Sequence, residues 1–442
     1  MAQVSRKTEE WGSRVGFLLS AVGSSVGLGN FWRFPYLTGE HGGSAFILIY
    51  LGCVLLFCLP LLMGEYAMGR KSGMSAVEGI QSLARAEGKS KYWGVVGWVG
   101  TLAAFFILTF YGVISAWVLS FIPQAMSGKF AGFDAAAAGA NFEATILDKP
   151  LILTMLGLFI LANVLVVARG VSSGLERVNK IVMPLFFIML LGVVIFALRQ
   201  GDSASAIRFL MEPDFSRVTT ATFLAALGQA FFSVGVGLGI MVTYGAYLAQ
   251  DTDIPRSSFI VAGSNSAVAI LSCLAVFPIV FAFGLSPDQG PGLFFVTLPI
   301  AFGQMTGGAF FGSVFLTLAL FAAFTSSISL MEVGVSWLEE REGVTRPGAA
   351  LGTGFVVFLI GAGYVFSFDY FRFIDFVAGS LMLPLGGLLA AVFAGWVLSR
   401  EMLVSELGDG RLMNAWRFMM RWIVPPLVLA IIVLGLSGAG RA

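Results

Sequence analysis

Long apolar segments separated by short polar ones dominate the pattern of this chain. A helix needs about 20 predominantly apolar residues to cross the hydrocarbon core of a bilayer, and eleven segments are long enough. The predicted spans are 14–37, 43–69, 92–122, 151–168, 177–198, 220–249, 257–284, 309–341, 346–365, 370–399 and 418–437. A shorter apolar stretch, 291–305, is predicted to be re-entrant or interfacial. The pattern therefore predicts an all-α integral membrane protein.

The first span contains a stretch that is poorly suited to a helix. Between positions 23 and 35 it has three glycines, Asn30, Arg33 and Pro35. Each Gly costs about 1 kcal/mol relative to Ala in a helix interior, and Pro costs about 3 kcal/mol. Because lipid offers no hydrogen-bond partners, non-helical backbone at membrane depth is tolerated only inside protein or beside a wet cavity. We therefore predict a broken helix that forms a site for ions or small polar solutes.

The sixth span repeats this feature, because it contains a run dense in small residues from Gly228 to Gly239. The offset of five spans between the two runs is odd, so the second copy enters the membrane from the opposite side. Two glycine-interrupted helices at matching positions of inverted halves indicate a transporter binding site. The predicted architecture is a single domain, 1–442, with repeat one at about 14–198, repeat two at about 220–399 and an eleventh helix at about 418–437.

The positions of Lys and Arg predict the orientation of the chain. With the N-terminus in the cytoplasm, 18 of the 26 Lys and Arg fall in inside segments and 7 in outside loops, while Arg33 is intramembrane. Cytoplasmic loops carry an excess of these residues. We expect a multi-pass protein of the cell inner (plasma) membrane, with a cytoplasmic N-terminus and, after eleven spans, an external C-terminus.

Composition narrows the class of function. The chain is 57% hydrophobic and 12% charged, whereas soluble domains carry about 25% charged residues. Its net charge of +1 gives no reason to expect a nucleic-acid partner, so the expected partners are membrane lipid and a small molecule. The three cysteines lack metal-ligand spacing, and we find no nucleophile–base pair that predicts an enzyme. A channel and a receptor that binds without transporting stay open as alternatives, and no feature specifies an oligomeric state.

Several short motifs recur along the chain in a recognisable order: Trp11 and Arg14, the run Gly27 to Tyr36, Gly42-Gly43, the run Glu65 to Arg70, the run Gly228 to Ser233 and Thr325-Ser326-Ser327. They resemble those of the neurotransmitter:sodium symporter family, which has the LeuT-type fold with a 5+5 inverted repeat and broken helices 1 and 6. The resemblance covers spans 1 to 10, and the chain without a twelfth helix is similar to many bacterial eleven-span amino-acid transporters. The resemblance implies sodium-coupled symport by alternating access.

The resemblance implies two sodium sites made of neutral oxygens. One site would use the carbonyls of Gly23, Val26 and Ala322 with the hydroxyls of Thr325 and Ser326. The second would use Ser25, Asn30, Ser233 and Asn265. An alternative for the Thr325-Ser326-Ser327 cluster, taken alone, is hydroxyls that hydrogen-bond back onto their own helix.

Gly27 points to the class of substrate. In relatives that take decarboxylated amines an aspartate stands there, so we expect this substrate to bring its own carboxylate. Amides near Leu28 and Gly29 would hold that carboxylate beside the Tyr111 hydroxyl, and carbonyls near Phe232 would take the ammonium. The substrate-binding residues implied by the resemblance, together with those named for sodium, are Ser25, Leu28, Gly29, Ile107, Tyr111, Phe232, Ser233, Gly235, Leu238, Ser326, Ser329 and Leu330.

The side chains in this set carry no charge, and an unpaired buried charge is very costly. We therefore expect a neutral, mainly hydrophobic α-amino acid, branched or aromatic, and do not choose among such substrates.

Intramembrane charges predict two gates. By resemblance, Arg33 pairs with Asp375 on the outer side. On the inner side the family has an arginine where this chain has Thr8, so Arg6 or Lys7 would face Glu340, with Tyr247 nearby. Glu65 resembles the family glutamate that braces the broken sixth helix. The alternative interpretation is that the Glu65 side chain only extends its carboxylate toward the membrane surface.

Chloride use stays open at this stage. Chloride-dependent relatives place Tyr, Gln and two small hydroxyls around the anion, and Tyr50, Gln229 and Ser233 match that pattern. The fourth position is Ala269, which fits neither the chloride-dependent pattern nor the carboxylate of chloride-independent relatives.

Overall fold

The computed structural model describes residues 9–287 and 292–436, and within these ranges it contains helices and no β-strand. The helices are α1 (Arg14–Ser25), α2 (Gly29–Glu40), α3 (Ser44–Ser72), α4 (Ala76–Ala86), α5 (Lys91–Met126), α6 (Ala135–Leu147), α7 (Lys149–Val167), α8 (Val171–Gln200), α9 (Ser203–Met211), α10 (Thr220–Val234), α11 (Ile240–Gly245), α12 (Ile254–Ala282), α13 (Leu293–Gln304), α14 (Gly308–Glu339), α15 (Arg346–Phe366), α16 (Phe368–Val397), α17 (Arg400–Leu407) and α18 (Arg411–Leu434). In the described part of the chain, nine helices are long and apolar enough to cross a membrane, and the bent pair α1–α2 adds a tenth.

The break in the first span is shorter than the sequence suggested. Only residues 26–28 lie between α1 and α2, which are bent by 49° relative to each other. Val26 adopts an extended conformation (φ −82°, ψ 100°). The last carbonyls of α1 therefore have no N–H donor in a following helical turn and remain available as acceptors.

Three glycines create the second break, between α10 and α11. Gly235, Gly237 and Gly239 have φ angles of 77°, 83° and 71°, a region that other residues rarely adopt. A Cβ on Gly237 would also lie 2.6 Å from the Gly387 nitrogen. The two fragments have 15 and 6 residues, so the sixth span exists only as a broken pair.

Helices α5 and α14 form the most extensive helix pair and run beside both breaks. They therefore present side chains from their middle turns to the centre of the bundle. The stretch predicted to be re-entrant or interfacial contains α13, which is too short to cross the membrane; position 291 lies outside the described residues. Helix α18 begins at Arg411, earlier than predicted, and position 437 of the predicted eleventh span lies outside the described residues.

Candidate functional site

The two helix breaks meet around a central cavity with about 400 Å³ of atom-free space. Its lining comes from α5 and α14 as well as from the breaks. The lining residues are Ser24, Ser25, Gly27, Gly29, Asn30, Ile107, Tyr111, Phe232, Ser233, Gly235, Leu238, Ile240, Ser326 and Leu330. None of them carries a formal charge, so the cavity suits a solute that is neutral overall.

The hydroxyls of Tyr111 and Ser326 bring polar groups of the cavity wall against the first break. The Leu28 N–H donates to the Tyr111 hydroxyl at 2.8 Å. A Cβ on Gly27 would lie 2.6 Å from that hydroxyl oxygen and 2.7 Å from Ser326 Oγ. Position 27 therefore has no room for a side chain unless its neighbours move.

A first oxygen cluster joins the ends of α1 and α10 to α12. Asn265 Oδ1 lies 3.0 Å from the Ser25 carbonyl oxygen and 3.2 Å from that of Ser233. As oriented, Asn265 Oδ1 accepts a hydrogen bond from Asn30 and lies beside the two carbonyl oxygens, whereas turning the amide would place its nitrogen within hydrogen-bond distance of both. Carbonyl and amide oxygens in this arrangement are ligands that suit sodium.

Asn30 holds this cluster in position. Its Nδ2 donates to the Asn265 backbone and side-chain oxygens at 3.0 and 2.9 Å, and its Oδ1 accepts from Gly27 N–H at 3.2 Å. Both asparagines are fully buried. The amide of Asn30 therefore ties the first break directly to α12.

A second oxygen cluster lies where α14 meets the end of α1. Ser326 Oγ is 3.4, 3.0 and 3.3 Å from the carbonyl oxygens of Gly23, Ser24 and Val26. One hydroxyl proton can satisfy only one of these three acceptors. The Thr325 hydroxyl bonds back to Phe321 and Ala322 at 3.1 and 3.2 Å. The surplus of acceptors also fits a cation.

The structure places two predicted substrate residues outside the central cavity lining. Ser329 is fully buried behind the wall, with its hydroxyl bonded to that of Tyr244 at 2.6 Å. Leu28 lines a second cavity that adjoins the central one. The lining gains Ser24 and Ile240, which sequence reasoning missed, although each directly adjoins a predicted break residue.

A second cavity of about 720 Å³ of atom-free space lies above the first, on the membrane side opposite the N-terminus. Arg33 and Asp375 both line it, together with Phe232. The Arg33 guanidinium carbon is 5.1 Å from the Phe232 ring centroid. Within the described residues, no ion pair of 4.0 Å or less joins Arg33 to a carboxylate. The two charges thus line the same cavity without forming a direct ion pair.

We expect Asp375→Ala to lower the transport rate by about tenfold or more and to change substrate affinity much less. The expected cause is loss of the closing partner of Arg33, since closure of a lid commits a bound solute. Asp369→Ala, an exposed aspartate at the start of the same helix, is the matched control. Uptake and equilibrium binding are measured in parallel, and equal losses of both would contradict a gating role.

The membrane side of the N-terminus is closed by the segment that precedes α1. The Trp11 indole N–H donates to the Tyr244 carbonyl at 3.1 Å, and the Trp11 backbone N–H donates to that of Tyr247 at 3.2 Å. Glu176 of α8 accepts from Gly12 N–H at 2.6 Å. These contacts tie the first half of span 1 to the segment after the second break.

The charged residues on the membrane side of the N-terminus have partners that the sequence did not predict. Glu340 accepts hydrogen bonds from the backbone and hydroxyl of Ser75. The Tyr247 hydroxyl donates to Glu332 at 2.6 Å, and Glu332 pairs with Arg346 at 2.5 Å. Sequence reasoning missed this buried pair, although the rule for intramembrane charges applies to Glu332. Arg6, Lys7 and Thr8 lie outside the described residues.

Glu65 sits against the second break. Its Oε1 accepts from the Gly237 N–H at 2.6 Å, and the residue is 1% exposed. The carboxylate therefore lies in the protein interior and does not reach toward the membrane surface.

Two of the residues considered for chloride, Tyr50 and Ser233, are in direct contact. The Tyr50 and Ser233 hydroxyl oxygens are 2.8 Å apart, and Asn265 Nδ2 donates to both. Gln229 donates to the Gly29 carbonyl at 2.8 Å. Ala269 is fully buried and contributes no polar group.

Two broken helices that converge on neutral oxygens within a membrane bundle define the class of ion-coupled secondary transporters. The sodium:neurotransmitter symporter family matches residues 8–137 and 141–439. The chain belongs to this family of sodium-coupled transporters and is not an enzyme.

Relatives and a solved structure agree with this assignment. The chain is 35% identical to the uncharacterized sodium-dependent transporter YhdH of Bacillus subtilis over 98% of both chains. It is 25% identical to the sodium-dependent dopamine transporter of Bos taurus, over 97% of this chain and 69% of that one. The crystal structure of MhsT in complex with L-phenylalanine matches with a TM-score of 0.89 and 38% identity, over 97% of this chain and 99% of that one. The predicted family and LeuT-type fold are confirmed.

Proposed function

We propose that this protein imports a neutral, mainly hydrophobic α-amino acid, branched or aromatic, by sodium-coupled alternating access. The observation that carries the proposal is the central cavity, whose lining combines polar groups from both breaks with apolar side chains and has no charged residue. The proposed orientation has the N-terminus in the cytoplasm of the inner membrane and the C-terminus outside. Two repeats, at about 14–198 and 220–399, form the single transport domain, followed by the helix at about 418–437.

The two oxygen clusters are the proposed sodium sites. The cluster around Asn265 borders the cavity, so a substrate carboxylate can add an oxygen to that ion. The cluster around Ser326 joins α1 to α14, and an ion there favours the conformation in which these helices touch. Substrate and sodium would then raise each other's affinity by the same factor, as linkage requires.

Recognition of a zwitterion follows from the backbone at the two breaks. The backbone N–H groups at the start of α2 carry partial positive charge and would face the substrate carboxylate, with the Tyr111 hydroxyl beside them. Carbonyls at the end of α10, near Phe232, take the ammonium. Because Gly27 provides no carboxylate, an amine without its own carboxylate lacks part of the site.

The substrate side chain would lie among apolar residues, mainly Ile107, Leu238, Ile240 and Leu330. The complex of MhsT with L-phenylalanine supports an aromatic amino acid as one substrate. A charged side chain would be buried without a partner, which costs several kcal/mol. Apolar contacts distinguish substrates by only about 1–3 kcal/mol per methylene, so several hydrophobic amino acids should bind.

A substrate panel tests this proposal. Thermal unfolding of the purified protein in sodium chloride is measured with phenylalanine, leucine, glutamate, lysine and phenethylamine. Phenylalanine and leucine should raise the unfolding temperature, whereas the two charged amino acids and the amine should not. Stabilisation by phenethylamine equal to that by phenylalanine would contradict recognition of the carboxylate.

A further inference from the structure

A groove on the outer surface of the bundle is separate from the transport site. It lies between α5, α14 and α15, on the membrane side of the N-terminus, and contains about 670 Å³ of atom-free space. Trp98, Leu102 and Phe105 form one wall, and Trp337 and Val356 face them. Leu102 and Val356 are 39% and 44% exposed, so the groove opens toward the lipid.

Two glycines, which have no side chain, give this groove its depth. A Cβ added to Gly352 would meet no atom within 4 Å, and one added to Gly334 would meet only the Thr353 methyl at 3.9 Å. A glycine in a helix interior is less favourable than alanine, and neither glycine is required here by a positive φ. The helices thus leave a slot open at a depth where only acyl chains surround the protein.

The end of the groove nearest the membrane surface carries cationic side chains. The Arg341 guanidinium carbon lies 4.6 Å from the Trp337 ring centroid. Arg341 donates one N–H to Glu78, and its side chain stays 43% exposed, which leaves further N–H groups for an anion. Lys91 is exposed and lies at the start of α5, seven residues before Trp98, in a 3₁₀ turn that precedes the regular helix.

We propose that this groove is a binding site for an anionic membrane phospholipid, with one acyl chain in the slot and the phosphate at Arg341 and Lys91. The groove walls that face the slot are apolar, which suits an acyl chain and excludes a polar occupant. Basic side chains near the membrane surface attract anionic headgroups. The occupant is a lipid because the groove opens within the bilayer.

The walls of the groove also support the transport site. Helix α5 carries Tyr111, and a Cβ on its Gly100 would lie 2.9 Å from the Gly239 nitrogen at the second break. Helices α14 and α15 are joined by the Glu332–Arg346 pair. An acyl chain that fills the space between these helices should therefore stabilise the folded transporter.

Native mass spectrometry and thermal unfolding of the purified full chain test the site, with phosphatidylglycerol and phosphatidylcholine of identical acyl chains as probes. Gly352→Leu fills the slot, and Gly192→Leu is the matched control on α8, where the glycine is also exposed and has no atom near its Cβ. The wild type and Gly192→Leu should bind phosphatidylglycerol and unfold at a higher temperature in its presence. Gly352→Leu should lose about tenfold in the bound fraction and most of the temperature shift, since binding to the folded state alone gives that shift.

Two further variants keep the test decisive. Leu102→Trp narrows the groove from α5 and should reduce lipid binding in the same way as Gly352→Leu. It provides a second slot variant if Gly352→Leu folds poorly. Arg341→Gln combined with Lys91→Gln should remove the preference for phosphatidylglycerol while both lipids still bind. Retention of phosphatidylglycerol by both slot variants at the wild-type level, or equal binding of the two lipids to the wild type, would overturn the proposal.

Discussion

Asn30→Ala is expected to weaken sodium-dependent substrate binding by about 100-fold, because two buried hydrogen bonds to Asn265 disappear and each orphaned group costs about 1–3 kcal/mol. The change removes the amide that holds the oxygen cluster between the first break, α10 and α12. The affinity for the ion that the cluster is proposed to bind should fall with it. Substrate affinity is measured by equilibrium binding over a sodium titration.

The control for this variant is Asn163→Ala. Asn163 is also fully buried, and its amide bonds to the Phe159 carbonyl and the Ser327 hydroxyl. Its loss should lower stability without moving the sodium dependence of binding. A sodium titration of Asn30→Ala that superimposes on that of the wild type would rule out the proposed role of the cluster.

Tyr111→Phe should lower substrate affinity by about 10- to 100-fold at saturating sodium, since a buried N–H loses its acceptor and the carboxylate loses a donor. The Tyr111 hydroxyl accepts from Leu28 N–H at 2.8 Å, so its own proton can point into the cavity. Binding of labelled amino acid and its uptake rate at low substrate concentration should fall together.

Tyr364→Phe provides the same chemical change away from the cavity. Its hydroxyl bonds to Thr109 at 2.7 Å, between α5 and α15. We expect this control to keep wild-type substrate affinity. If Tyr111→Phe behaves like Tyr364→Phe, the hydroxyl does not contact the carboxylate.

The two breaks were predictable because they depend on local chemistry. Glycines at 235, 237 and 239 adopt backbone angles that a helix cannot use, and an apolar span tolerates such a run only where protein or a wet cavity surrounds it. Their convergence at one cavity followed from the inverted order of the spans. The family motifs then placed most of the lining residues, including Phe232 and Tyr111.

Pairings between distant side chains were harder to predict. Glu332 bonds to Tyr247 and Arg346, whereas the motif alone had directed attention to Glu340. Ser329 lies between the lining residues Ser326 and Leu330 along α14, yet its hydroxyl faces Tyr244. Sequence spacing shows which residues share a face of a helix, but it does not show which neighbouring side chain each of them contacts. These partners depend on tertiary packing.

Uptake by proteoliposomes tests most directly the claim that the broken-helix site couples an amino acid to sodium. Labelled phenylalanine is added to vesicles containing the purified protein, with an inward sodium gradient or with potassium in place of sodium. The account predicts accumulation above the external concentration only with the sodium gradient, and collapse of that accumulation when the gradient is dissipated. Accumulation that persists when potassium replaces sodium would contradict it.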